Sequence, residues 1–445
     1  MQSGGGGAAR PGASLASVVD VPVEDRATRP QPAAPRRRRR RRRLAGAGRW
    51  RRVVVRGHRW AAMVTGVLLL TVTLSGFTLL YEPDLQKLLH PSLYDAAPAA
   101  QTISADRARA AALLEVPDLK VDNVVKNRGV WEVRGQLVNA EGPYRQVHVD
   151  PGTADVLGIG NANGGVLGVL KNLHMCALTC EKYAGYWGAM AYELNLLGNE
   201  LTVGTLLLSL IGLVLFGLAL SGLMLWWPGV SRMARAFVLR RHKGRYAVNY
   251  DLHKLAGMAA IPFLLMWSIT GMSFQFKQID DAWYGVLPGS KPAEREELKS
   301  KPIEGMSVSP GQAEQIARKM VPTGRLASVS LPDPETKDSA YSISFSEGTD
   351  PRQYASRRGD VRVGVDSYSG RATITNGDPS VDRPISQTLW ESWKFPIHSG
   401  TAINGALRTP WLLFGLAPPL LAITGMTTWL IRRRKRRAQA PLAAV

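Results

Sequence analysis

Cysteine is nearly missing. Two residues in 445 exclude a scaffold built on disulfides or on thiolate-bound clusters. Acids are also scarce, 35 Asp and Glu against 56 Lys and Arg for a formal net charge of +21, which excludes an acidic disordered chain. The 44 Gly and 28 Pro follow no three-residue period, so a collagen-like rod is excluded too. Charge is altogether absent from four stretches, Trp60 to Tyr81, Leu201 to Trp227, Leu255 to Phe276 and Trp411 to Ile431. At about 1.5 Å per helical residue, each can cross a hydrocarbon core of roughly 30 Å. A mean hydropathy of −0.08 conceals this segregation. Pro262 and Pro418-Pro419 lie within these runs and are tolerated in lipid-spanning helices. The chain reads as a four-helix membrane protein with soluble parts.

Charge orients it. Residues 1–59 carry 16 Lys and Arg against three acids, residues 231–254 carry seven against one, and the tail from Arg432 carries six. Cytoplasmic segments are the ones enriched in Lys and Arg, so both termini and the short link are expected in the cytoplasm. The expected division is a disordered basic N-terminus (1–50), spans at 51–81, 201–227, 254–276 and 411–431, a cytoplasmic link (228–253) and a basic tail (432–445). Residues 82–200 and 277–410 then lie outside. The run Arg36 to Arg43 could bind phosphate without sequence preference, but beside a span it suits anionic lipid, and no nucleic-acid partner is expected. More than fifty polar and basic residues precede the first span, unlike a cleaved signal peptide.

The halves echo each other. His58-Arg59-Trp60 opens the first span and Ser75-Gly76 follows; His253-Lys254-Leu255 opens the third and Thr270-Gly271 follows at the same spacing. The second and fourth spans carry Ser221-Gly222 before Trp226 and Thr424-Gly425 before Trp429. Outside the membrane, Gln146 to Asp150 and Val361 to Asp366 are alternating strands closed by turns. Helices are expected before them at Ser104 to Leu114 and Ser309 to Met320. The fold class is thus a four-transmembrane-helix bundle with two extracytoplasmic α+β domains, internally duplicated.

This arrangement resembles the PepSY-associated transmembrane family, which includes iron-regulated membrane proteins and ferric-siderophore reductases. The resemblance rests on His58-Arg59-Trp60, Leu220-Ser221-Gly222 through Trp226-Trp227-Pro228-Gly229, Tyr250-Asp251-Leu252-His253, Ile269-Thr270-Gly271, and Ile397-His398 through Ile423-Thr424-Gly425. It implies two outer PepSY-like domains and, as in reductase members, haem b between the spans, in a bacterial cytoplasmic membrane.

Seven histidines then divide in two. His90, His148 and His242 read as solvated or locally bonded. His58, His174, His253 and His398 sit at or beside spans, where an ionisable side chain is a functional candidate by default. His58 and His253 open the two outward-running spans at one depth, and two level imidazoles can supply both axial ligands of a haem iron. Gly222 and Gly425 return to that depth and could leave room for a flat ring. His398 lies near the outer boundary. Counting back from Gly222 as from Gly425 to His398 reaches Asn195, where the family usually has a histidine, so His174 can serve only if the following residues fold back. Cys176 and Cys180 fall in that insertion, where a disulfide is the natural reading and zinc binding with His174 the runner-up. Trp390, Trp393 and Tyr186 could stack on a ligand or anchor the interface.

Two functions compete. In the first, one or two haem b groups on His58, His253, His398 and His174 pass electrons outward to an extracytoplasmic ferric chelate. No nucleotide or flavin fingerprint is evident, so this reading needs a cytoplasmic donor or a quinol. In the second, a non-enzymatic membrane sensor or binding protein uses its outer domains on a peptidase, peptide or ligand.

Overall fold

The computed structural model describes residues 36–97, 101–138, 144–161, 163–227, 233, 237–287, 298–346, 361–378, 384–400 and 409–439, with side chains left aside at 36–48, 83, 392 and 435–439. The chain divides into two units at Arg51/Arg52, and the sheet and all seven histidines belong to the unit that begins at Arg52. The disorder expected over 1–50 lies outside the described residues as far as 35. From Arg36 the backbone is helical, in keeping with the helix propensity of arginine.

Among the described residues, four helices are long and apolar enough to cross a membrane: Arg49–Leu79, Val203–Trp226, Arg245–Ser273 and Thr409–Arg434. The bounds shift from the sequence expectation at every span, and three of the differences have a local cause. The second span starts at Val203 because Thr202 and Thr205 cap each other, side chain to backbone in both directions, satisfying donors that a helix start otherwise leaves bare. Leu201 is left to a short hairpin, Glu193–Leu196 with Asn199–Thr202. The third span begins nine residues early, at Arg245, so residues 245–253 of the expected link are helix. Its acid Asp251 is fully buried, bound through both oxygens by Arg240 and approached by Lys254 at 3.4 Å. A carboxylate neutralised on two sides need not end the helix. The fourth span breaks at Leu416, between Thr409–Gly415 and Ala417–Gln439, because Pro418 and Pro419 have no amide to donate to the preceding turn and are tolerated in the first turn of a new helix.

The third span is central, joining Ala219 of the second and Ala417 of the fourth around Ala260 and Leu264. Small residues let helices approach where lipid offers no hydrophobic drive. Val64, Val67, Leu213, Leu413 and Ile423 face outward, as a lipid-bathed surface requires.

Outside the spans stands one eight-stranded antiparallel sheet. Its strands are β1 (Leu119–Asn127), β2 (Val130–Leu137), β3 (Arg145–Val149), β4 (Val156–Gly160), β7 (Arg325–Ser330), β8 (Tyr341–Ser346), β9 (Val361–Val365) and β10 (Ala372–Asn376); β5 and β6 are the hairpin above. They lie in the order β10-β9-β8-β7-β1-β2-β3-β4. The two outer domains expected separately therefore share a sheet, joined where β1 pairs with β7 through Val124 and Val329. Pairing these strands gives each a neighbour where two separate domains would each present an edge.

Each half is a helix followed by a four-strand meander. Helix Ala105–Glu115 is capped by Ser104, and Pro310–Met320 by Ser309 with Gln312 reciprocating. Their alanines, Ala108, Ala112, Ala313 and Ala317, lie on one sheet face against Trp131, Val133, Val147, Ile343, Phe345 and Val363. After β3 and β9 the turns repeat one device: Asp150 accepts from the amides of Gly152 and Thr153, and Asp366 from those of Tyr368 and Ser369. Burial alone would raise both carboxyls, and these amide donors hold them below their ordinary values instead.

The opposite sheet face is polar and also covered. Glu132, Arg134, Gln146 and His148 are all buried. His148 thus departs from the solvated or bonded reading. Its ring is 1% exposed and edge-on to Tyr94, and among the described residues neither nitrogen has a hydrogen-bond partner. Gly160 faces it, where a Cβ would meet the imidazole at 2.8 Å.

Candidate functional site

The four span-associated histidines occupy two sites. At the basic end, His58 and His253 neighbour each other closely enough for either charge to affect the other. His58 Nδ1 lies 2.8 Å from Ser221 Oγ, and His253 Nδ1 lies 2.9 Å from Thr424 Oγ1. At the other end, His398 Nδ1 lies 2.7 Å from Thr270 Oγ1. His174 Nδ1 lies 2.9 Å from the Val72 carbonyl and 3.5 Å from Ser75 Oγ. Among the described residues, no hydrogen bond reaches any of the four Nε2 atoms.

Each imidazole also faces the glycine that follows its hydroxyl. A Cβ on Gly222 would stand 3.7 Å from His58 Cε1, on Gly425 3.4 Å from His253, on Gly271 3.7 Å from His398, and on Gly76 only 2.3 Å from His174. At Gly76 the missing side chain is therefore the space the ring fills. Gly222 and Gly425 were legible as space and Gly76 and Gly271 only as marks of the opposite face, while the hydroxyls beside all four were given no role. The available signal was the hydroxyl-glycine dipeptide at matching places in the spans, Ser75-Gly76 with Thr270-Gly271 and Ser221-Gly222 with Thr424-Gly425.

His174 comes to the site by the fold-back its placement requires. Helix Gly165–Cys176 ends in Ala177 and Leu178, both with positive φ, so the chain reverses. Asn172, fully buried, holds the reversal, giving its amide to the carbonyls of Cys180, Tyr183 and Ala184 and accepting from the Cys180 amide. Cys176 and Cys180 form a disulfide across it, which removes both thiolates from the zinc alternative. Lys171 pairs with Glu82 at 2.8 Å, fixing this helix to Glu82–Leu89, the short helix that follows the first span. Asn195, where the register count led, lies in β5.

His398 is carried by a short helix, Lys394–His398, after a π-helical turn at Thr388–Trp393. Its backbone carbonyl accepts from Trp267 Nε1 of the third span, and Phe274 stands edge-on to its ring. Trp390 is buried, stacked on Trp283 at 4.4 Å and hydrogen-bonded to Asp280, which also meets Lys394 at 3.1 Å. It braces the segment that holds His398. Tyr186 is 42% exposed.

The match to the PepSY-associated TM region runs over residues 55–432. The chain belongs to the PepSY-associated transmembrane family. It is a multi-pass membrane protein, and the family match takes in both histidine sites and the sheet between them in sequence. No curated protein matches the chain.

A haem must find axial nitrogens, a slot for a flat ring and partners for its carboxylates. The ring centroids of His174 and His398 are 6.2 Å apart, close to two metal–nitrogen bonds of about 2 Å each plus the depth of each ring. At the basic end, Arg59 Nε and Trp226 Nε1 are shielded donors that find no acceptor among the described residues, one next to His58 in the chain and one a helical turn beyond Gly222. Two orphan donors fit an anionic group. The spacing of His174 and His398 thus fits paired axial ligands, and Arg59 and Trp226 fit a carboxylate near His58.

Proposed function

We propose that this family member carries single electrons across a bilayer by means of two haem b groups, one held by His58 and His253 and one by His174 and His398. The acceptor is ferric iron in an extracytoplasmic chelate such as a siderophore, and the donor is a cytoplasmic partner or a membrane quinol. We place the basic pieces of the chain in the cytoplasm, which puts His58 and His253 on the donor side. The chain carries two related halves, each contributing one histidine to either pair.

The observation that supports this best is the repeated geometry of the histidines, each fixed at Nδ1, bare at Nε2 and backed by a glycine. Haem bound at these positions supplies reversible one-electron chemistry. The chain's own part is to hold four imidazoles at two depths, to keep water out with apolar helices, and to offer Arg59 and Trp226 to carboxylates at the inner end. Ferric iron held by hard oxygen ligands loses affinity for them once reduced, so electron delivery outside frees metal for uptake.

The test is pyridine haemochrome stoichiometry on the purified full-length chain beside His58→Ala and His398→Ala. Two haems per chain, falling to one in each variant, are expected. A colourless protein from cells grown with ample haem overturns the proposal and favours a PepSY-type sensor or binding protein.

A further inference from the structure

One chemical arrangement recurs at the histidines although the segments that supply it differ. Ser221 Oγ donates to the Gly217 carbonyl at 2.6 Å, Thr424 Oγ1 to Leu420 at 2.7 Å and Thr270 Oγ1 to Met266 at 2.6 Å. A hydroxyl has one proton to give. With that proton committed to its own helix, it can only accept from the imidazole, so His58, His253 and His398 carry their proton on Nδ1. His174 reaches the same state differently. Its Nδ1 faces the Val72 carbonyl, which has nothing to donate. Ser75 Oγ donates to that same carbonyl at 2.9 Å.

A neutral imidazole protonated on Nδ1 keeps its lone pair on Nε2. We infer that Ser221, Thr424, Thr270 and the Val72 carbonyl are tautomer locks, which hold all four Nε2 atoms ready for a metal and, in the loaded protein, set the basicity of the ligands. The inference deepens the haem reading and rests on it for the second half. Hydroxyls in apolar helices commonly bond back to the preceding turn, but that habit does not bring three of them within 2.9 Å of an imidazole. The two ends also differ. The inner pair is held by two hydroxyls, the outer by one hydroxyl and one peptide carbonyl.

Outer-shell acceptors raise ligand basicity, and losing one typically weakens metal binding about 10- to 100-fold. A more basic ligand favours ferric iron, so losing the acceptor raises the midpoint potential. The test uses the full-length chain with ¹⁵N-labelled histidine, first depleted of haem. Nitrogen shifts of the wild type should report Nδ1 protonation at the four histidines. Thr270→Val, Thr424→Val and Ser221→Ala should each release one histidine to a tautomer mixture, while Ser75→Ala leaves His174 locked. In loaded protein the same three variants should bind haem about 10- to 100-fold more weakly and raise the potential of one haem, with Thr270→Ser and Thr424→Ser restoring both. Unchanged tautomers in the three variants overturn the inference even where wild type binds haem. A wild type that binds none overturns the haem reading instead, and the nitrogen shifts still decide the locks.

Discussion

His148 shows what one residue can hide. In sequence it is an alternating strand histidine, and nothing about Gln146-Val147-His148-Val149 separates a solvated face from a covered one. The structure seals it under Tyr94 and Leu93, with Glu132 Oε1 3.8 Å from Nε2 and Arg134 beyond. Burial lowers its affinity for a proton, and the Glu132 carboxylate offsets only part of that. The folded chain therefore binds this proton less readily than the unfolded chain does. The stability conferred by keeping the ring neutral is complete above the unfolded value of about 6.5, and is lost as pH falls below it towards the folded value. The outer sheet should melt at progressively lower temperature between about pH 6.5 and 5, and His148→Gln should flatten that dependence. A wild-type melting temperature constant across the range would contradict this account of the ring.

At the scale of elements, the caps at Ser104 and Ser309, the alternating strands at 146–149 and 361–365 and the four apolar runs were legible, because each depends on residues close in sequence. The joint between halves was not. It rests on Val124 meeting Val329 and on Asn123 donating to Ser330 at 3.1 Å, partners some two hundred residues apart that no local pattern couples. The pairing of His174 with His398 was legible only on the condition that the chain folds back after His174, and the reversal at Ala177 and Leu178 that meets the condition shows only in the assembled turn. A continuous sheet should behave as one cooperative unit. Phe345, fully buried in β8, is a suitable lever, since Phe345→Ala in a packed core costs about 3–5 kcal/mol. Hydrogen exchange should then quicken in β1 and β2 as well as in β7 to β9. Faster exchange confined to 325–376 would mean that the halves fold independently despite their shared edge.

At the scale of the molecule, the first and third spans each touch both sites. On the first, His58 belongs to one end and Ser75 and Gly76 face His174 at the other; on the third, His253 and Thr270 are placed alike. Seventeen residues of helix separate the marks on either span, about 25 Å of rise, so the two sites sit near opposite boundaries of a hydrocarbon core of roughly 30 Å. Neither pair alone spans that distance, so under the proposed function an electron crossing it needs both. The full-length chain in vesicles, with dithionite trapped inside and a ferric hydroxamate outside, should therefore generate ferrous iron that an external ferrozine indicator captures. His58→Ala and His398→Ala should each reduce the rate to that of protein-free vesicles, although each keeps one pair intact. If His398→Ala instead transfers at the wild-type rate, the outer pair is not on the route, and His58 and His253 must deliver electrons without it.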